Sequence, residues 1–377
     1  MRPPEEALDG TGADSAAARR ERYDVLAMTK LATRLLEKAG LSSVRAAAMA
    51  ETFVEADLMG FTTHGLQRIP SNLQWLLDGS TRCDGEIEVI TDAGGTLVWG
   101  AANLPGPWVV REAVKEAVAR SETNGISAIA IRRTQHIACL ATYLRPATDR
   151  DKMILIVAST PAESVVSAHG GLTPIFSCNP LAVGIPTEGA PILIDTSLSM
   201  SALGPLYRAQ REGRRLPTRC IRTADGRLTD DPAEFVDRPG ASILPAGGDA
   251  QGYKGFALLL MSEALTAALS GYGRTDVTQG DEANAVYVQV IDPDKFTGRR
   301  AFLHEMAGLA AACQRSDALP NAGPVRLPGE RALASRKEQL THGLRLHPLV
   351  VEDLKPWVAR FGMTFPEPLA PRAADSG

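Results

Sequence analysis

The sequence predicts an α/β protein in which a central mixed region lies between helical segments from the two ends of the chain. Residues 22–60 place apolar side chains at spacings of three and four, which is typical of amphipathic helices. Short apolar runs rich in β-branched residues occupy the middle of the chain and indicate buried strands. Helical spacing returns at residues 299–314 and 335–361. We therefore expect helical, then mixed, then helical elements along the chain.

A helix with a recognisable start and end precedes the first candidate functional residues. The stretch Leu41-Ser42-Ser43 offers an N-cap for the segment VRAAAMAETFVEADLMG, and Gly60 is expected to end that helix. His64 and Arg68 follow on a connecting segment. A loop that directly follows a rigid helix often carries functional side chains. The alternative is that His64 and Arg68 are ordinary surface residues.

The centre of the chain alternates strands and helices. The predicted strands are ISAIAI (126–131), MILIVA (153–158), PILID (191–195) and AVYVQVI (285–291). The predicted helices are WVVREAVKEAVARSETNG, which Gly125 stops, and KGFALLLMSEALTAALSG (254–271). The stretch 208–250, rich in Arg, Gly, Asp and Pro, is interpreted as a long ordered excursion.

Composition and charge are ordinary for a soluble globular protein. Of the 377 residues, 44% are hydrophobic and 22% are charged, and the net charge is −4. This balance shows no electrostatic footprint for nucleic acid. No apolar run approaches the roughly 20 residues that span a bilayer, and the polar N-terminus lacks the apolar core of a signal peptide. We expect neither a nucleic-acid nor a membrane partner.

The five cysteines are far apart and form no CxxC pair. Their spacing argues against a disulfide framework and against a structural zinc site. We therefore expect reduced thiols, no metal and a cytoplasmic location. Residues 1–21 and 364–377 are expected to be a disordered lead-in and a disordered tail.

Several common catalytic motifs are absent. The chain has no GxGxxG after a strand, no GxxxxGK[ST], no GxSxG and no HExxH. Their absence disfavours the doubly wound dinucleotide fold, P-loop nucleotidases, serine hydrolases and zinc proteases. The turn Gly252-Tyr253-Lys254-Gly255 does lead into a helix, where backbone amides can bind a phosphate. A purely structural turn is the alternative.

A carboxylate ends one of the predicted strands. Asp195 closes PILID and is followed by Thr196-Ser197. A carboxylate at the edge of a core can orient a histidine, fix its tautomer and stabilise the imidazolium. A turn-forming cap is the alternative for this aspartate.

These pieces, in this order, resemble the malate/L-lactate dehydrogenase family of non-Rossmann NAD(P)-dependent oxidoreductases. That family includes ureidoglycolate and sulfolactate dehydrogenases and piperideine- and pyrroline-2-carboxylate reductases. The resemblance covers residues 24–362 and rests on these stretches: ADLMGFTTHGLQRIP (56–70), NGISAIAIRRTQHIACLATY (124–143), SCNPLAVGIP (177–186), ILIDTSLSMSALG (192–204), GYKGFALLLMSEAL (252–265) and RLPGER (326–331).

The resemblance implies an architecture. It predicts an NAD(P)-binding α/β domain with a largely antiparallel sheet at residues 86–295, and a helical domain built from both chain ends. The ends concerned are an N-terminal segment, 22–85, and a C-terminal segment, 296–363, which pack together. The resemblance also implies a homodimer that uses NAD or NADP.

The resemblance also implies catalytic roles. His64 becomes the general acid/base, because an imidazole near its unperturbed pKa of about 6.5 can give and take a proton. Asp195 is the carboxylate that orients the histidine, and Thr63 replaces the serine that usually precedes it. Arg68 is expected to bind the substrate carboxylate. The residues expected to line the cofactor cleft are His136, which is also near the substrate, Ser177, Asn179, Lys254, Gly255, Gly329 and Glu330.

Several positions depart from the family pattern. Ala138 and Ala141 stand where glycines are usual, Cys178 replaces a threonine, Pro205 replaces a lysine, and Asn72 replaces a tyrosine. The leading expectation is hydride transfer to or from C2 of a small 2-oxo or 2-hydroxy carboxylate, as in malate or lactate. A cyclic imino acid reductase is the first alternative. An inactive, divergent binding or regulatory dimer is the second, because the lysine and the glycines are lost.

Overall fold

The protein is described here by a computed structural model that covers residues 21–275, 277 and 282–370. The chain forms two compact units. The central unit is one continuous segment, Glu86–Gly329, and the terminal unit combines the described residues up to Gly85 with those from Glu330 onward. The predicted lead-in, except for its last residue, and residues 371–377 of the predicted tail lie outside the described residues. Within the described ranges, no helix is both long enough and apolar enough to cross a membrane.

The terminal unit is mainly helical. Its helices are α1 (Val25–Lys38), α2 (Ser43–Leu58), α3 (Ile69–Leu77), α10 (Glu330–His342) and α11 (Pro348–Arg360). Asp24 and Ser42 cap α1 and α2, each side chain accepting a hydrogen bond from a first-turn amide. The strands β1 (Arg22–Tyr23) and β14 (Leu344–Arg345) pair antiparallel. The predicted helix over 335–361 is therefore two helices, since the chain turns at Gly343 with φ of +95° and adds β14.

The central unit contains two sheets. The larger follows the order β2 (Glu88–Asp92), β3 (Thr96–Gly100), β4 (Ile126–Thr134), β13 (Asn284–Ile291), β5 (Met153–Ser159), β8 (Leu181–Ile185) and β9 (Ile192–Thr196). The smaller follows the order β11 (Leu228–Thr229), β10 (Ile221–Arg222), β12 (Ser242–Ile243), β6 (Val166–Ser167) and β7 (Pro174–Phe176). In the larger sheet β3 and β4 are parallel, and the other pairings between described strands are antiparallel.

The central unit also contains helices, and α4 (Gly106–Asn124) among them packs against the larger sheet. The helices of this unit are α4 (Gly106–Asn124), α5 (Arg145–Thr148), α6 (Leu203–Arg211), α7 (Ala233–Val236), α8 (Gly248–Glu263) and α9 (Arg299–Gln314). A π-helical segment, Ala264–Ala268, continues α8. The excursion predicted over 208–250 is ordered and supplies β10, β11, α7 and β12. The predicted strands all exist, each within three residues of its predicted ends.

One predicted boundary differs from the structure. Helix α9 belongs to the central unit, whereas the sequence analysis assigned residues from 296 onward to the C-terminal helical segment. The helix follows β13 through a short turn, in which Asp294 Oδ1 accepts a hydrogen bond from Arg299 N at 2.8 Å. Arg299 also pairs with Asp151 at 3.3 Å. These contacts fix α9 to the unit that contains β13.

Candidate functional site

In the terminal unit, Thr63, His64 and Arg68 lie on two short 3₁₀ turns. Helix α2 ends at Leu58, and Gly60 follows with φ of +89°, as the predicted helix end requires. The turns Thr62–His64 and Leu66–Arg68 then lead directly into α3. The three predicted site residues of this segment are thus held between two helices.

A buried carboxylate anchors the turn that carries His64. Asp57 is 1% exposed, and its Oδ2 accepts a hydrogen bond from Leu66 N at 2.7 Å. A Cβ placed on Gly65 would lie 2.3 Å from both Cγ and Oδ1 of Asp57, far inside van der Waals contact. The glycine after His64 is therefore required, because the Asp57 carboxylate occupies the space of its missing side chain.

Helix α10 stabilises the same corner of the terminal unit. Gln339 is 3% exposed, and its Nε2 donates to the carbonyl oxygens of Asp57 at 3.0 Å and Leu58 at 2.9 Å. Ser335 Oγ donates to the Leu58 carbonyl at 2.9 Å. Carbonyls at a helix C-terminus lack intrahelical donors, so α10 supplies them. Glu330, a predicted cofactor residue, is the first residue of α10 and is half-buried.

Thr63 makes a direct contact with His64. Thr63 Oγ1 and His64 Nδ1 are 3.0 Å apart. A hydroxyl can donate to an unprotonated Nδ1 or accept from an Nδ1–H. When the neutral ring carries its hydrogen on Nδ1, that N–H donates to Thr63 in both protonation states, and the proton is then exchanged at Nε2.

The backbone and side chain of Arg68 are both supported. Asn72 is 1% exposed and donates Nδ2 to the Arg68 carbonyl at 2.7 Å. The Arg68 guanidinium lies over Trp75, with Cζ 5.5 Å from the ring centroid. Asn72, which stands where the family usually has tyrosine, thus fixes the turn that presents Arg68.

In the central unit, Asp195 lies near the end of β9 and accepts two hydrogen bonds on one oxygen. Its Oδ2 receives Ala141 N at 2.8 Å and Cys139 Sγ at 3.4 Å. Burial raises the pKa of Asp195 to about 6, and both hydrogen bonds oppose that rise. The predicted strand-end carboxylate is therefore placed in contact with the segment that follows His136.

His136 has a defined tautomer in its neutral form. Its Nδ1 accepts a hydrogen bond from Ala138 N at 3.2 Å. Because a backbone amide only donates, the neutral ring carries its proton on Nε2. Ala138 adopts φ of +60°, a left-handed conformation that favours glycine. The glycine that the family resemblance leads us to expect at this position would adopt this φ without strain.

Ser177 and Asn179 belong to an internal polar network. Asn179 is fully buried, and its Nδ2 donates to Glu263 Oε1 at 2.8 Å, while its Oδ1 accepts from Ser177 Oγ. The same Glu263 oxygen accepts from Ser159 at 2.8 Å and from Arg274 at 2.7 Å. The side chains of these two predicted cofactor residues are thus used inside the protein, where they fix the connection from β7 to β8.

Lys254 and Gly255 lie within α8 rather than before it. The helix begins at Gly248, six residues before its predicted start. A Cβ on Gly255 would lie 2.3 Å from the carbonyl oxygen of Ala246, so the helix and the preceding loop touch at the backbone. Lys254 is exposed, with Nζ 5.8 Å from the ring centroid of Tyr253.

Gly329 packs against the strand that carries Asp195. It has φ of +90°, and a Cβ there would lie 2.7 Å from Leu193 Cβ. The Pro328 carbonyl accepts a hydrogen bond from Leu193 N at 3.1 Å. The predicted Pro-Gly-Glu turn therefore begins beside β9 in the central unit.

Three supporting residues escaped the sequence analysis: Asp57, Cys139 and Glu263. Asp57 and Cys139 lie inside the family-like stretches, a few residues from His64 and His136. Their spacing in the sequence carries no chemical signal, because a hydrogen bond to a turn amide or from a thiol needs no motif. Glu263 pairs with residues about 80 and 100 positions away, at Asn179 and Ser159.

Comparison with known proteins gives a family for this chain. The family model described as malate/L-lactate dehydrogenase matches residues 24–355. An L-sulfolactate dehydrogenase from Methanothermobacter thermautotrophicus is 28% identical over 318 residues, which cover 81% of this chain and 87% of that protein. A Δ1-pyrroline-2-carboxylate/Δ1-piperideine-2-carboxylate reductase from Pseudomonas syringae is 30% identical over 340 residues, which cover 86% and 93%.

A solved structure agrees in fold. The crystal structure of malate dehydrogenase from Entamoeba histolytica aligns with a TM-score of 0.87 at 21% identity, and the match covers 92% of this chain and 99% of that one. The family inferred from the sequence is confirmed. The chain belongs to the malate/L-lactate dehydrogenase family and is an NAD(P)-dependent oxidoreductase.

Proposed function

We propose that this enzyme interconverts a small 2-oxo carboxylate and its 2-hydroxy form, with His64 as the group that exchanges the proton. The nicotinamide cofactor, when bound, gives or takes the hydride. His64 Nε2 protonates the substrate oxygen during reduction and accepts the hydroxyl proton during oxidation. An imidazole with a pKa near neutrality suits both directions.

The observation that carries this proposal is the hydrogen bond between Thr63 Oγ1 and His64 Nδ1 at 3.0 Å. It orients the ring through Nδ1, and we assign the proton exchange to Nε2; the Asp57–Leu66 hydrogen bond fixes the backbone of the same turn. Arg68, on the next turn, offers paired N–H donors to a substrate carboxylate.

Asp195 and His136 complete the proposal from the central unit. We assign Asp195 the stabilisation of the protonated His64, following the family pattern, and its pKa of about 6 leaves it mostly ionised at pH 7 and above. His136, with Nε2–H as its donor, is assigned to the substrate oxygen.

Several residues of the chain fit a dinucleotide. The exposed Lys254 ammonium and the N-terminal end of α8 suit a phosphate group. Gly255 and Gly329 are packed against Ala246 and Leu193 of the protein itself, so their proposed part is to hold α8 and β9 in place. Ser177 and Asn179, being buried and internally bonded, would support the site through the 177–179 backbone. The proposed binding mode is non-Rossmann, on the mixed sheet of the central unit.

A cyclic imino acid reductase is the second candidate function. The 30% identity to the Pseudomonas syringae reductase favours it. Reduction of a C=N bond needs the same hydride, proton and carboxylate clamp, so His64 and Arg68 would keep their roles. The two candidates differ only in the atom that His64 protonates, nitrogen instead of oxygen.

We also propose that the enzyme is a homodimer. Helix α8, its π-helical continuation and the residue that follows expose large apolar side chains: Tyr253, Leu258, Leu260, Met261 and Leu269, each at least 40% exposed. Exposed apolar side chains in such number along one helix favour an interaction site. Light scattering should give a dimer mass for the wild type and a monomer mass for Leu260→Glu. The matched control is Leu309→Glu on α9, which is also about half exposed.

The catalytic proposal is tested by comparing substrates and one pair of variants. NADH and NADPH oxidation would be followed with oxaloacetate, pyruvate, sulfopyruvate, Δ1-pyrroline-2-carboxylate and Δ1-piperideine-2-carboxylate. His64→Ala should keep cofactor affinity and lose turnover by about a hundredfold or more. His304→Ala, an exposed histidine of α9, should leave turnover unchanged. Unchanged turnover in His64→Ala would contradict the role of His64. Cofactor binding without turnover on every substrate would favour the inactive binding dimer.

A further inference from the structure

One oxygen of Asp195 accepts hydrogen bonds from a backbone amide and from a buried thiol. Ala141 N donates to Oδ2 at 2.8 Å, and Cys139 Sγ approaches the same oxygen at 3.4 Å, an ordinary distance for a thiol donor. Cys139 is 4% exposed. Both donors come from the segment that follows His136, in which Ala138 and Ala141 depart from the family pattern.

We propose that Cys139 is a positioning residue for Asp195: its thiol donates to Oδ2, fixes the plane of the carboxyl group together with the Ala141 amide, and favours the ionised form. The inference rests on the proposed role of Asp195 in the reaction. It adds a specific means by which this chain sets the charge of that carboxyl group.

In this pair the thiol is the hydrogen-bond donor and the carboxylate is the acceptor. Burial, followed by the nearby Asp195 charge, holds the pKa of the Cys139 thiol well above its usual range, so the sulfur stays protonated and can act only as a donor to an anion. A hydrogen bond to the charged form of an acid favours that form. The thiol therefore lowers the pKa of Asp195, against the larger opposite effect of burial.

Among the described residues, burial, the Ala141 amide and the Cys139 thiol are the influences that set the pKa of Asp195. The neighbouring strand β8 (LAVGI) carries no titratable side chain. In the 139–143 segment the other titratable residue is Tyr143, whose hydroxyl donates to the Ile137 carbonyl. The Pro328-Gly329 turn beside β9 has none. Cys139 is thus the side chain whose hydrogen bond lowers the pKa of Asp195.

The first test is the pH dependence of kcat/KM in three variants of the full-length enzyme. Cys139→Ala removes the donor, so the acid limb should move to higher pH, by about half a unit or more. Cys139→Ser replaces a weak donor by a stronger one, so the limb should stay in place or move to lower pH. Cys220→Ala removes another buried thiol of the same unit and should leave the limb unchanged.

The second test needs no turnover. The infrared S–H stretching band of Cys139, isolated by subtracting the Cys139→Ala spectrum, should shift as Asp195 titrates near pH 6, and Asp195→Asn should abolish that pH dependence. The inference is overturned if the S–H band does not respond to pH between 5 and 8. It is also overturned if Cys139→Ala shows both an unshifted acid limb and an unchanged Asp195 carboxyl band. If both infrared bands respond but the rate profile does not, the thiol–carboxyl contact stands and the proposed role of Asp195 fails.

Discussion

Gly65→Ala is the sharpest test of how the His64 turn is held. The new Cβ would lie 2.3 Å from Cγ and Oδ1 of Asp57, where carbon contacts normally require about 3.5 Å. An overlap of more than about 1 Å cannot be absorbed by a side chain that is 1% exposed, so the Asp57 carboxylate must leave. Its departure breaks the 2.7 Å hydrogen bond from Leu66 N, which is itself buried.

The expected loss of stability follows from the two buried groups that lose their hydrogen-bond partners. A buried donor or acceptor that loses its partner costs about 1–3 kcal/mol, and here a carboxylate oxygen and an amide are affected together. We expect the free energy of unfolding to fall by about 3 kcal/mol. We also expect kcat to fall by roughly a hundredfold, because a displacement near 1 Å at a catalytic group has that effect.

The assay is urea unfolding followed by circular dichroism, with steady-state kinetics on the same preparations. Gly308→Ala is the matched control, because a Cβ there meets nothing within 4 Å in the middle of α9; it should be neutral or slightly stabilising. In an Asp57→Ala background, Gly65→Ala should cost far less, since the clashing group is gone. Wild-type stability and activity in Gly65→Ala would refute the geometric reasoning.

Three further predictions concern the central unit. Burial raises the pKa of Asp195 to about 6, so the folded state binds this proton more tightly than the unfolded chain does, and ionising Asp195 destabilises the fold as the pH rises from about 4 to 6. At pH 7.5, Asp195→Asn should therefore unfold at a higher urea concentration than the wild type, with a free energy of unfolding about 2 kcal/mol larger. At pH 4 the two proteins should differ little. Ala138→Gly should be neutral or stabilising in the same urea assay, because it relieves a φ of +60°, whereas Ala141→Gly, at a position of negative φ, should cost about 0.5–1 kcal/mol. Lys152→Met leaves the Asp292 carboxylate of a buried ion pair without its partner and should lower the thermal midpoint, with a loss of about 3 kcal/mol or more.

Local patterns in the sequence were sufficient where a local interaction decides the structure. The Ser42 cap and the Gly60 stop needed only their own neighbours, so α2 and the turn with His64 were placed correctly. Helix α9 was predicted with its observed ends, Arg299 and Gln314, from apolar spacing alone. Its assignment to a unit was wrong, because that depends on contacts with Asp294 and Asp151 rather than on periodicity.

The order of strands in the larger sheet could not be read from local patterns. Strand β13 pairs with β4 and β5, which precede it by more than a hundred residues. Apolar runs show that a strand is buried but do not identify its neighbour. The family resemblance supplied the expectation of a cofactor site, and the structure then assigned Ser177 and Asn179 to an internal network with Glu263.

The terminal unit shows why both chain ends matter to the proposed chemistry. The amide of Gln339 donates to the carbonyls of Asp57 and Leu58, at a sequence separation of more than 280 residues. The side chain of that same Asp57 holds the Leu66 amide, and so the turn with His64. A residue of the C-terminal segment is thus linked to the proposed proton donor through a single aspartate. Buried carbonyls at a helix end need a hydrogen-bond donor. Here that requirement links the last part of the chain to the turn that carries the proposed proton donor.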